Sequence, residues 1–193
     1  MRKFAHLAIT TVGIIVIGLG IFAATFCLPV ARAQKEPAPD VPDAIQAPAG
    51  EEVVLSVHAS GSQIYTCQAD AGGKFAWTLK APDAELRDRK DKVIGSHFAG
   101  PTWKLNDGSE VTGKAAAHVD SLSTDSVAWL RLDVTSHAGK GLLANVTTIQ
   151  RIHTHGGKPP AEGCDESRKD AETRSSYTAD YYFYAPAEKS GTP

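Results

Sequence analysis

The chain has 193 residues, of which 42% are hydrophobic and 22% charged, with 20 Lys and Arg set against 22 Asp and Glu. The length suits one domain with a sizeable core. A slightly acidic balance excludes a nucleic-acid partner, because gripping a phosphate backbone takes clustered Lys and Arg.

Residues 1–33 read as a signal peptide. Arg2 and Lys3 form a positive start, an apolar run follows from Leu7 to Val30, and Ala31-Arg32-Ala33 puts small residues at the −3 and −1 positions before Gln34. The apolar run is also long enough for an uncleaved anchor, since about 20 residues span a bilayer. The cleavage pattern selects the signal peptide, which leaves no stable membrane span. Phe26 stands before Cys27 where a lipoprotein signal needs a small residue, so a lipid anchor is not expected. Cleavage removes Arg2, Lys3 and Arg32 but no acid, leaving 17 Lys and Arg against 22 Asp and Glu, a net charge of −5. The expected location is secreted or periplasmic.

Of the three cysteines, Cys27 lies in the signal, so Cys67 and Cys164 remain. An even pair in an exported chain predicts a disulfide; two buried free thiols are the alternative. Residues 34–50 hold Pro37, Pro39, Pro42 and Pro48, which forbid a regular helix or central strand. They read as a Pro-rich linker or an arm hugging the domain. Residues 188–193 read as a flexible tail.

Residues 51–187 read as the β-rich domain, and from 51 to 186 the pattern has period two. Val53, Leu55 and Val57 alternate with Glu52, Val54 and Ser56; Phe75, Trp77 and Leu79 share a face; Leu130, Leu132 and Val134 oppose Trp129, Arg131 and Asp133. Turn signals separate the runs, among them Asp70-Ala71-Gly72-Gly73, Asn106-Asp107-Gly108-Ser109 and Gly156-Gly157-Lys158-Pro159-Pro160. The charged stretch from Asp165 to Ser175 reads as a helical turn or solvated loop. The predicted fold is all-β, a single-domain antiparallel sandwich or barrel carrying a disulfide.

Several segments taken in order resemble the DUF3455 family of secreted domains of unknown function: "GSQIYTCQ", "FAWTLKAPDAELRD", "GSHFAGPTWKLNDGSEVTG", "WLRLDV", "TTIQRIHTHGGKPP" and "YTADYYFYAP". The resemblance covers nearly the whole mature chain and implies an exported, all-β domain with no established activity. It leads one to expect Asn where this chain has His153.

The stretch "GSHFAGPTW" offers the first candidate site. His97 and Trp103 project from the two arms of a bend shaped by Gly100 and Pro101. They form either a platform for a ligand, with Asp107 adding hydrogen bonds, or a barrel plug in which His97 bonds a backbone carbonyl. Asp107-Gly108 is also a hairpin-turn signal. In "QRIHTHGG", strict alternation puts Arg151, His153 and His155 on one face. His153 and His155 are candidate metal ligands, though a third ligand must come from the fold. Arg151 beside Ile149 and Ile152 is expected to pair with Asp133 or Asp180. In "YYFY", one of the pairs Tyr181/Phe183 and Tyr182/Tyr184 is expected in the core, the other forming a strip that signals binding only if open.

The sequence lacks a G-x-S-x-G elbow, an H-E-x-x-H helix motif and a Gly-rich phosphate loop. The cofactor is left unknown, with none as the first expectation. Asn145-Val146-Thr147 is a glycosylation sequon in a strand-like run, where its side chain is expected to be inaccessible. Three functions remain. The first is an extracytoplasmic binding module for a cell-surface glycan or small ligand, using His97, Trp103, Asp107, Arg151 and His153. The second is a structural envelope protein. The third is an enzyme, metal-dependent or not, built on His97, Arg151, His153 and His155.

Overall fold

The structure, a computed structural model, describes residues 36–188. The signal peptide and residues 189–193 of the tail lie outside the described residues. Eight strands run β1 Glu51–Ala69, β2 Phe75–Arg87, β3 Val93–Phe98, β4 Thr102–Leu105, β5 Glu110–Val119, β6 Trp129–Ala138, β7 Thr148–Gly156 and β8 Glu172–Pro186. Each pairs antiparallel with its neighbour in sequence, and β8 pairs back onto β1 from Glu51↔Pro186 to Thr66↔Glu172. The sheet therefore closes into a barrel, which decides between the two architectures that alternation alone left open. No helix among the described residues is long and apolar enough to cross a membrane.

Closure needs close strand approaches, and small residues provide them. At Gly61 of β1 a Cβ would stand 2.2 Å from the Asp83 carbonyl oxygen, and at Gly95 of β3 one would stand 2.3 Å from the Lys104 carbonyl oxygen. The inward positions of the strands, such as Ala59, Leu86, Val111, Leu132, Ile149 and Phe183, make the buried core. Tyr181 and Phe183 point into it. Tyr182 and Tyr184 lie on the outer face.

That outer strip is not open. The segment from Glu36 to Gly50 lies across it, with a 3-10 turn at Asp43–Ile45. Val41 and Ile45 pack with Trp129, Ile152 and Tyr182 in a second cluster. Gln150 Nε2 donates to the Ile45 carbonyl at 2.7 Å, and the Tyr184 hydroxyl donates to Gln150 Oε1. Ile45 is fully buried, which by area alone stabilises the docked arm by about 2 kcal/mol. Glu36 accepts from the Ser56 hydroxyl at 2.6 Å and pairs with Arg89.

Cys67 and Cys164 form the disulfide, with Cα atoms 5.3 Å apart, so the free-thiol alternative falls. The bond ties the end of β1 to the connection before β8. Only the start of the charged stretch is a turn, Glu166–Arg168, capped by Asp165 accepting from the Ser167 amide at 2.9 Å. From Glu172 onward the chain is already strand, held by its ladder to β1. The sequon is also placed differently from expectation. β7 begins only at Thr148, and Asn145 is exposed in the turn before it.

Candidate functional site

The β3–β4 hairpin sets the centre of the site. His97 and Trp103 are register partners across it, so their side chains leave the same face, which is the inward one. Gly100 makes the turn with φ of 94°, a backbone conformation that glycine adopts without strain. The two rings stack with centroids 4.3 Å apart. Tyr181 meets both edge-on, at 5.2 Å from His97 and 5.4 Å from Trp103. Gly113 of β5 makes room for the indole, since a Cβ there would lie 3.3 Å from Trp103 Cζ3.

Above this stack one end of the barrel is incompletely filled. A cavity of about 290 Å³ remains. Gln63, His97, Trp103, Leu132 and Tyr181 form its buried floor, and Leu79, Lys80, Gly100, Pro101 and Ala115 its exposed rim, with Arg151 on the wall. The burial of Trp103 and the bond from His97 to a backbone carbonyl match the barrel-plug reading of "GSHFAGPTW". Trp103 is 1% exposed and does fill barrel space, yet the ring stack also lines a hollow.

His97 is buried, and its Nδ1 lies 2.9 Å from the Thr102 carbonyl oxygen. A carbonyl only accepts, so Nδ1 carries the proton and Nε2 keeps its lone pair. Burial lowers the pKa to about 3, with Arg151 adding to the effect and the Thr102 bond opposing it. The imidazole is neutral at any ordinary pH.

Arg151 is the half-buried cation of the interior. Neither expected carboxylate pairs with it among the described residues: Asp133 lies beside Arg131, and Asp180 lies between His58 and His153. Arg151 instead donates from Nε at 3.3 Å and Nη2 at 2.8 Å to the Ala128 carbonyl. Its register partner is Tyr181. Burial raises the Tyr181 pKa and the Arg151 charge pulls it back down. The Tyr177 and Tyr181 hydroxyls lie 3.0 Å apart, and burial raises Tyr177 as well.

Two polar atoms of the cavity lining stand out. Gln63 Nε2 and Trp103 Nε1 are buried with no hydrogen-bond partner among the described residues. Such donors cost about 1–3 kcal/mol each when left unmade. Gln63 was not singled out from the sequence. Its signal was an amide at an inward position, between Gly61 and Tyr65 in a strand of period two.

The remaining candidates are not at this cavity. Asp107 is consumed by structure: Oδ1 accepts from the Ser109 amide at 2.9 Å and hydroxyl at 2.6 Å, and Oδ2 from the Leu142 amide at 2.8 Å. The Ser109 hydroxyl, then the Leu142 amide, hold its carboxyl below the usual range. It latches the β4–β5 turn to the β6–β7 connection. His153 lies outside the barrel. A bulge in β7 between Ile152 and His155, with His153 at φ of 48°, breaks the alternation that was expected to align it with Arg151. His153 Nδ1 lies 2.9 Å from Asp180 Oδ2, His58 Nδ1 lies 2.8 Å from Asp180 Oδ1, and Trp129 meets His153 edge-on. His155 pairs with Thr178 on the outside. His97, His153 and His155 are thus divided between inside and outside, and no group of three potential ligands able to hold a metal occurs among the described residues.

The fold and site define a small closed antiparallel barrel with one hollow, polar-floored end. The model for a family described as "Protein of unknown function (DUF3455)" matches residues 48–185, and the chain belongs to that family. No curated protein and no solved structure matches the chain.

Proposed function

We propose that the chain is an extracytoplasmic binding module that takes a small organic molecule into the open end of its barrel. The observation that carries this reading is the floor of the cavity, where two buried N–H donors lack partners beside an aromatic stack. A bound molecule with acceptor atoms would satisfy donors that otherwise reduce stability. The disulfide supports an oxidising compartment. A glycan laid on an exposed Trp103 is not favoured, because that ring is buried. The same burial favours a second reading, a structural envelope domain in which the stack only fills space.

A thermal-shift screen of small organic molecules separates the two. Binding to the native state raises Tm. A saturable rise in wild type that disappears in Ala115→Trp, which narrows the mouth, supports the binding module. Equal rises in both proteins, or none across the screen, support the structural domain.

A further inference from the structure

We infer that the molecule taken by the cavity is a small carboxylate with a flat apolar body. This inference rests on the binding reading above and assigns its ligand class.

The lining contains the cations Lys80 and Arg151 and no Asp or Glu. Lys80 is already matched by Glu172 outside the mouth. Arg151 pairs with no carboxylate among the described residues: it donates to the Ala128 carbonyl and hydrogen-bonds Tyr181. An Arg held partly out of water calls for an anion, and a guanidinium–carboxylate bond is among the strongest a side chain makes. The field of Arg151 also reaches Tyr65, His97, Tyr177 and Tyr181, so the whole inner wall is biased toward negative charge.

The neutral donors agree with the charge. Gln63 and Trp103 both line the hollow, and each carries a buried N–H donor without a partner among the described residues. A carboxylate accepts only, through two oxygens, and is matched to such a lining. A cationic ligand meets Arg151 directly. A neutral sugar needs acceptors for its many hydroxyls, and carboxylates that would serve are missing from the lining. Trp103, Tyr181, Pro82, Leu130 and Leu132 supply apolar walls for a ring. At about 290 Å³ the space lies at the lower end of small-molecule sites, roughly 300–1,000 Å³, which favours a single ring over a long chain.

The test is equilibrium dialysis of the exported protein with benzoate, benzamide and benzamidinium, which share a ring and differ in charge. Benzoate is expected to bind about tenfold more tightly than benzamide, with benzamidinium weakest. Arg151→Met is expected to bring benzoate down to the benzamide level. Gln63→Leu, which removes an unpartnered donor and no charge, is expected to weaken benzoate severalfold and provides the test if Arg151→Met does not fold. Benzamide or benzamidinium binding as tightly as benzoate overturns the carboxylate assignment and leaves the binding module standing. Benzoate affinity unchanged in the folded variants also overturns it. Retention of none of the three overturns both.

Discussion

His97 and Trp103 lie face to face inside the barrel, with ring planes 10° from parallel. One hairpin produces this stack, because the two residues are register partners across a turn that Gly100 and Pro101 make possible. Trp103 packs in the same core cluster as Val111, Ile149 and Phe183, and the stack also lines the hollow beside Arg151 and Tyr181.

The neutral state of His97 makes stability depend on pH. Its pKa is about 3 in the folded chain against 6.5 when unfolded, so on acidification the unfolded state takes up the proton first. Stability is intact above pH 6.5 and falls as pH drops toward 3, by roughly 5 kcal/mol in total. Denaturant midpoints measured from pH 7 to pH 5, above the range where carboxylates dominate, are expected to fall in wild type and to stay flatter in His97→Gln.

The β7 bulge puts His153 at a backbone position that suits Asn. At φ of 48°, His153 occupies the left-handed region, where Asn is tolerated far better than most side chains. Asn is the residue that the family resemblance leads one to expect there. His153→Asn is expected to leave the fold unchanged and to alter stability by less than about 1 kcal/mol. His153→Val, β-branched at a positive φ, is expected to cost about 2 kcal/mol or more in urea unfolding.

The disulfide encloses a chain segment with a sequence separation of 97. Chain entropy alone assigns such a crosslink up to about 4–5 kcal/mol. Cys67 is fully buried, so replacement also disturbs the core. The double variant Cys67→Ser/Cys164→Ser is expected to lose about 2–5 kcal/mol in denaturant titration, and reduced wild type to behave similarly.

The all-β class, the disulfide and the split of "YYFY" into a core pair and an outer pair were legible because period-two alternation and cysteine parity are local signals; which pair faced inward was not. Barrel closure was not, because a sandwich uses the same alternation and only the β1–β8 pairing distinguishes them. Of the proposed site residues, the structure brings His97, Trp103 and Arg151 to one cavity. His153 was misplaced because a single bulge inverts side-chain direction, and nothing in "QRIHTHGG" marks its position. Asp107 was a turn latch, as its Asp-Gly context also allowed. Arg151 was expected to find an acid, but its strand neighbours send their acids outward, to Arg131 and to His58 and His153.

The most direct measurement is a nuclear Overhauser experiment on the labelled protein with benzoate, observing the Trp103 indole N–H assigned by its loss in Trp103→Phe. Binding inside the barrel predicts contacts from the benzoate ring to Trp103 and Tyr181, together with a saturable shift of that N–H as its missing partner arrives. Contacts confined to outer residues such as His58 or Tyr182, or an indole N–H that does not move, would contradict the account.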